Sequence, residues 1–308
     1  MTATRDPGVG RFANDQAREK FLQAYEVAMR SWPQPRQEFD VETSFGTVHV
    51  HHHGAGPGAP VVLLHGAQGN SSNWYPQVAA LGEHHPVYAL DTIDDPGRSM
   101  QRRPVAGTAE SAAWLDETLA TLDLSDVHLV GMSYGGFLAL AAAVHRPDRL
   151  ASVTLLDPGG LQKVPFRFYA NIIAGALATM APRRTRAWFA HRLANHALIE
   201  SPEQLAPIMI AARHWRTQRP SARRFDDEEL RSIPVPVLLL VAGRSSLLRP
   251  HEAVARAQAL IPSVRAEIVP GAGHGLPLER PELVNQCVLD FIAGSTSGDA
   301  AGRDQPDR

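Results

Sequence analysis

The stretch "VHLVGMSYGGFLALAAAVHRP", residues 127–147, decides the reading of this chain. An apolar run, Val127–Val130, leads into Gly131-x-Ser133-x-Gly135, and an alanine-rich segment follows. The pattern predicts a buried strand, a sharp turn and a helix, with the Ser133 hydroxyl exposed at the turn. Small residues on either side relieve crowding there. The helix N-terminus that begins at the serine favours developing negative charge. A bare G-x-S-x-G arises often by chance, but here strand, turn and helix all frame it as a nucleophile requires.

Outward from this motif the chain repeats one pattern. "PVVLLHG" (60–66), "HPVYALD" (85–91), "LASVTLLDPGG" (150–160), "VPVLLLVAG" (235–243) and "RAEIVPGAGHG" (265–275) are apolar runs of strand length. Helical spacing lies between them, at about 74–81, 108–122, 134–145, 250–260 and 281–291. Strands alternating with helices predict an α/β fold with a mostly parallel sheet covered on both faces. Ahead of it, residues 14–31 have helical spacing, with Phe21, Leu22, Tyr25, Val27 and Met29 on one broad face. "FDVETSFGTVHVHHHG" (39–54) reads as a hairpin around a glycine turn.

The expected division is an extension with one helix (1–39), a core (40–162 and 232–293), a helical insertion (163–231) and a flexible polar tail (294–308). The insertion is expected above the strand ends. Phe166, Phe168, Tyr169, Ile172, Ile173, Leu177, Met180, Trp188 and Phe189 are expected mostly to pack its helices together, with a minority lining a pocket. Trp74 and Tyr75 are candidates for the opposite wall.

The 308 residues are 44% hydrophobic and 20% charged, enough to bury a core without staples. A net charge of -2 with no basic stripe argues against a nucleic-acid partner. Cys287 is the only cysteine, which excludes a disulfide framework. No apolar run has the length of a membrane span, and the N-terminus lacks the apolar core of a secretory signal, so cytoplasmic location is expected.

Two further segments complete a site. In "LLHGAQGNSSNW" (63–74), the N–H of Ala67 is a candidate oxyanion donor alongside the N–H of Tyr134. His65 is expected to hold this loop by hydrogen bonds rather than move protons. In "VPGAGHGLPLERPELVNQCVLDFI" (269–292), His274 occupies a glycine-rich loop after the last strand, placed to act as base toward Ser133. His51, His52 and His53 suggest a metal cluster, but adjacent strand residues point to opposite faces. They are read as surface histidines, and no metal is expected.

Gly131–Gly135, His65-Gly66, Gly273-His274-Gly275 and the strand order resemble the α/β-hydrolase superfamily over about residues 40–292. "YEVAMRSWPQPRQEFDVETSFGTVHV" (25–50) and "VYALDTIDDPGRS" (87–99) resemble small bacterial carboxylesterases with a helix ahead of the fold. The resemblance implies an eight-stranded sheet, a helical cap and no cofactor. It also implies an acid in the loop after strand 236–242, where this chain reads Gly243-Arg244-Ser245-Ser246. Asp157, closing "LLDPGG", is the preferred replacement, since some α/β hydrolases keep their acid at that strand's end; a turn-capping role is its alternative. Other arrangements have water or Ser246 on His274 and no acid, or use Asp94, Asp95 or a cap carboxylate.

Three functions follow as expectations. The first is a serine hydrolase that cleaves a small-molecule carboxylic ester through an acyl-enzyme on Ser133. The second is a non-hydrolytic enzyme, by acyl transfer, cyclisation or elimination. The third is a ligand-binding protein with little turnover.

Overall fold

Strands that read as continuous apolar runs do so because each feeds two cores. In the computed structural model, which describes residues 8–178, 181–194, 199 and 201–302, Val62 and Leu64 face one hydrophobic cluster while Val61 and Leu63 face another. Val237, Leu239 and Val241 alternate in the same way with Leu238, Leu240 and Ala242. Both faces of the sheet are therefore dry, which is the condition for a parallel sheet.

Eight strands form its main path: β1 Gln37–Thr43, β2 Gly46–His53, β3 Val61–Leu64, β4 Val87–Leu90, β5 Val127–Met132, β6 Leu150–Leu156, β7 Val237–Ala242 and β8 Val264–Val269. Their spatial order is β1-β2-β4-β3-β5-β6-β7-β8. The hairpin β1–β2 is antiparallel, as is β2 to β4; every other pairing is parallel. A ninth strand, Met100–Gln101, was not expected and pairs with β2 at the hairpin turn. At two residues it is too short to leave a period-2 signal.

The helices are α1 Asp15–Ala28, α2 Tyr75–Gly82, α3 Thr108–Thr121, α4 Tyr134–His145, α5 Phe166–Ala178, α6 Arg183–Leu193, α7 Pro202–His214, α8 Asp227–Arg231, α9 Pro250–Leu260, α10 Leu276–Glu279 and α11 Pro281–Gly302. Trp114 of α3, Phe137 of α4 and Ala253 of α9 enter one cluster. Phe21 and Tyr25 of α1, Val78 of α2 and Val284 of α11 enter the other. Helix α11 continues past residue 291 to Gly302, into the segment expected as a flexible tail. The segment has no proline to stop the helix before Gly302. No helix among the described residues is long and apolar enough to cross a membrane.

The N-terminal segment and the insertion prove to be joined. Arg11–Phe12 pairs antiparallel with Trp215–Arg216, immediately after α7. Gln204 of α7 donates to the Ala28 carbonyl at 2.9 Å and to Ser31 Oγ at 3.0 Å. Phe21, fully buried, stacks on Tyr25 and meets the tilted ring of Phe12.

The apolar residues of α5 and α6 do not mostly pack the cap together, contrary to expectation. Phe166 is 85% exposed, and Tyr169, Ile172, Ile173, Leu177 and Trp188 are exposed as well. Helical spacing reveals that an apolar face exists but not whether anything covers it. Phe168 and Phe189 are partly buried, and Met180 lies outside the described residues. Trp74 is also no pocket wall: it is sealed in the core beside Val78 and Leu81, with Tyr75 half-buried against the same cluster.

Because α1 is packed as core, Phe21→Ala is expected to cost about 3–5 kcal/mol in chemical denaturation. An unchanged midpoint would mean that α1 rides on the surface.

Candidate active site

Ser133 sits where β5 ends and α4 begins, with φ 53° and ψ -111°. A side chain rarely adopts positive φ, and such strain persists only where its surroundings over-determine it. The two flanking glycines supply that determination. A Cβ on Gly131 would meet the Gly135 carbonyl oxygen at 2.3 Å, and one on Gly135 would meet the Leu64 carbonyl oxygen at 2.0 Å. Backbone bonds from Ser133 N–H to the Leu156 carbonyl (3.1 Å) and from Gly159 N–H to the Ser133 carbonyl (2.8 Å) tie the turn to the end of β6.

That same strand end carries Asp157, fully buried and also at positive φ, 44°. Its Oδ1 accepts from Ala242 N–H at 3.1 Å. Its Oδ2 accepts from His274 Nδ1–H at 2.6 Å and from Ser245 Oγ–H at 2.7 Å. The opposite ring nitrogen, His274 Nε2, accepts from Ser133 Oγ–H at 2.9 Å. Serine, imidazole and carboxylate thus lie in one hydrogen-bonded line, the geometry of a proton-transfer triad. Phe168 of α5 meets the His274 ring edge to face, with centroids 5.2 Å apart.

Sequence reasoning named Ser246 as the possible helper and missed Ser245. The turn after β7 aims Ser245 at Asp157, while Ser245 Oγ accepts from the N–H groups of Leu247 (3.1 Å) and Leu248 (2.8 Å). Both serines line a cleft of about 310 Å³ with Arg167, Arg192 and Arg244, and of the two it is Ser245 that bonds to Asp157. Neither serine replaces the acid.

On the other side of Ser133, a Cβ built on Gly66 would stand 3.3 Å from the Ser133 Cβ, so the Ala67 loop lies against the nucleophile. Gln68 in this loop takes φ 60°. His65 makes the loop-holding bonds expected of it: Nδ1–H donates to the Gly66 carbonyl at 2.9 Å, and Nε2 accepts from Thr92 N–H at 3.1 Å. Burial lowers its pKa, which keeps the ring neutral. Ala67 is exposed and Tyr134 buried, each next to Ser133 in space or in sequence.

Asp94 and Asp95 are not on His274. Tyr134 Oη donates to Asp94 Oδ2 at 3.1 Å, and Arg219 pairs with Asp95 while lying over the Tyr134 ring at 4.8 Å. Burial pushes Asp95 up to about 8 against the pull of Arg219, and raises Asp94 in the same direction. Together they brace Tyr134 and fasten residue 219 of the insertion to the core.

The three adjacent histidines are not simply surface residues. His51 is fully buried, because α1 covers one face of β2, and Tyr25 Oη lies 2.7 Å from its Nε2.

A sequence profile described as the alpha/beta hydrolase family matches residues 61–286. Carboxylesterase YbfK of Bacillus subtilis is 30% identical over 295 residues, 92% of this chain and 97% of that protein. A second B. subtilis relative, described as an uncharacterized carboxylesterase, nap, is 30% identical over 90% of this chain and 93% of its own length. The crystal structure of naproxen esterase (carboxylesterase NP) from B. subtilis aligns with a TM-score of 0.81 at 28% identity, covering 91% of this chain and 99% of that one.

The two serines after Gly243 separate cleanly in a kinetic test. Ser245→Ala is expected to lower kcat on the order of tenfold with KM unchanged, the loss of about one hydrogen bond to a carboxylate. Ser246→Ala is expected to leave kcat unchanged. Equal effects of the two substitutions would contradict this placement.

Proposed function

The chain belongs to the alpha/beta hydrolase family and is a carboxylesterase-like serine hydrolase; we propose that it cleaves small-molecule carboxylic esters through an acyl-enzyme on Ser133. The observation that carries this reading is the line from Ser133 Oγ through His274 to Asp157, at 2.9 and 2.6 Å. Relatives described as carboxylesterases over most of their length support the reaction class.

In this reading Ser133 attacks the ester carbonyl as His274 Nε2 takes the hydroxyl proton. Asp157 holds the ring with Nδ1–H toward itself and stabilises the imidazolium. The N–H groups of Ala67 and Tyr134 receive the oxyanion, where one such donor is worth roughly 10²–10³ in rate. His274 then protonates the departing alcohol. Water, activated by the same imidazole, attacks the acyl-enzyme and releases the acid. The insertion at 163–231 acts as a cap, with Phe168 on His274 as its point of contact with the reacting groups. The hydrogen bond between Asp157 and His274 supports hydrolysis over a non-hydrolytic reaction.

A fluorophosphonate probe is expected to label Ser133, located by mass spectrometry of the adduct. Ser133→Ala is expected to lose both label and ester hydrolysis while its melting temperature stays near wild type. Labelling of a different serine would overturn the assignment.

A further inference from the structure

The β1–β2 hairpin carries a second constellation, remote in sequence from Ser133 and unused by ester cleavage. The antiparallel register sets Glu38 directly across from His51 and Asp40 across from His49. Residues 49 and 51 share one face of β2, and so do their partners on β1. Glu38, His49 and His51 each offer a ligand atom, and these atoms lie within 4.8 Å of one another. Glu38 Oε1 is 3.6 Å from His51 Nδ1, and Oε2 is 3.8 Å from His49 Nε2.

We propose that Glu38, His49 and His51 bind one divalent transition-metal ion of the zinc type, with water completing a four-coordinate shell. Two nitrogens and one oxygen form a donor set that zinc accepts. Around such an ion, neighbouring ligand atoms stand about 3.4 Å apart. Oε2, the oxygen that Arg36 leaves free, stands 3.8 Å from His49 Nε2 and needs only tenths of an ångström of closure; ligand atoms as far apart as 4.8 Å need more, up to about 1.4 Å.

The hydrogen bonds around the rings expose the lone pairs that an ion needs. His49 Nδ1–H donates to Asp40 Oδ1 at 2.6 Å, which leaves Nε2 bare. Tyr25 Oη donates to Asp91 at 3.1 Å and accepts from His51 Nε2–H at 2.7 Å, which leaves Nδ1 bare. Both bare nitrogens are buried and have no hydrogen-bond partner. Each ring also has an acceptor on its far nitrogen, a carboxylate for one and a phenol backed by a carboxylate for the other. Metal-binding histidines are oriented in this way.

Charge points the same way. Glu26, Glu38, Asp40 and Asp91 bring four carboxylates here, against the guanidiniums of Arg36 and Arg98. Two negative charges are left over, as many as a dication supplies. Arg36 occupies Glu38 Oε1, and Oε2 has Arg98 Nη1 no nearer than 3.7 Å. The Glu38 side chain is 31% exposed, so the carboxylate side of the cluster borders solvent. Through Tyr25 the ion would tie α1 to the hairpin, so its role is structural and independent of the esterase reading.

The test uses the full chain, stripped with chelator and desalted. Zn²⁺ or Co²⁺ is added in small excess, the protein is gel-filtered, and the metal is counted by plasma mass spectrometry. One equivalent is expected, with visible Co²⁺ bands of four-coordinate strength and a higher melting temperature with Zn²⁺. His49→Gln is expected to weaken binding at least tenfold. Glu38→Gln, at the partly exposed rim where unfolding is not at issue, is expected to do the same. His52→Gln, whose ring lies on Tyr88 at 4.5 Å on the opposite face, is expected to bind normally. Failure of the wild type to retain metal would overturn the proposal. So would undiminished retention in Glu38→Gln, which would assign the metal to other histidines.

Discussion

A serine held at positive φ between two glycines that have no room for a Cβ is the constraint on which the rest of the site depends. The Gly131 and Gly135 positions are closed by backbone oxygens rather than by movable side chains. Strand β5, the start of α4 and the end of β3 therefore meet at fixed distances. The strain at Ser133 is held by the bonds that join it to Leu156 and Gly159. Once the turn is set, the Ala67 loop on one side and Asp157 on the other have little freedom left. Gln68, Ser133 and Asp157 all take positive φ, so each of the three segments that meet at the serine holds a strained residue in place.

The meeting of Asp157 with His274 follows from sheet geometry. Neighbouring strands lie about 4.8 Å apart, so the ends of β6 and β7 are within one side chain's reach of each other. A carboxylate from either end can address the same imidazole. With Asp157 at the end of β6, the loop after β7 supplies donors to its carboxylate: Ala242 N–H to Oδ1 and Ser245 Oγ–H to Oδ2. A buried carboxylate without such donors would be costly. Asp94 and Asp95, on the far side of Tyr134, serve a different purpose, since Arg219 links that corner to the insertion.

Much of this was legible in residues 127–147, 60–66 and 265–275, because apolar runs, glycines and a serine at fixed spacing determine the backbone locally. Ser133, His274 and Asp157 fall together for that reason. Ser245 was not legible, because a one-residue rotation of a tight turn exchanges it with Ser246. The burial of His51 depends on α1, which is distant in sequence, and the i, i+2 pair 49 and 51 meets its carboxylate partners only across the hairpin. The clasp between Arg11–Phe12 and Trp215–Arg216 joins two-residue strands that leave no periodicity. In α5 and α6 the spacing correctly indicates helices, but exposure of Phe166 and Trp188 is a property of what stands opposite, which spacing does not encode.

The central claim is that Asp157, rather than any group after Gly243, orients His274. The most direct measurement is kcat for an activated ester with Asp157→Asn, beside a melting curve showing that the variant is folded. The account predicts a fall on the order of ten-thousand-fold, since an amide there stabilises the wrong tautomer and no imidazolium. Near wild-type kcat in the folded variant would contradict it and would mean that Ser133 and His274 work as a dyad.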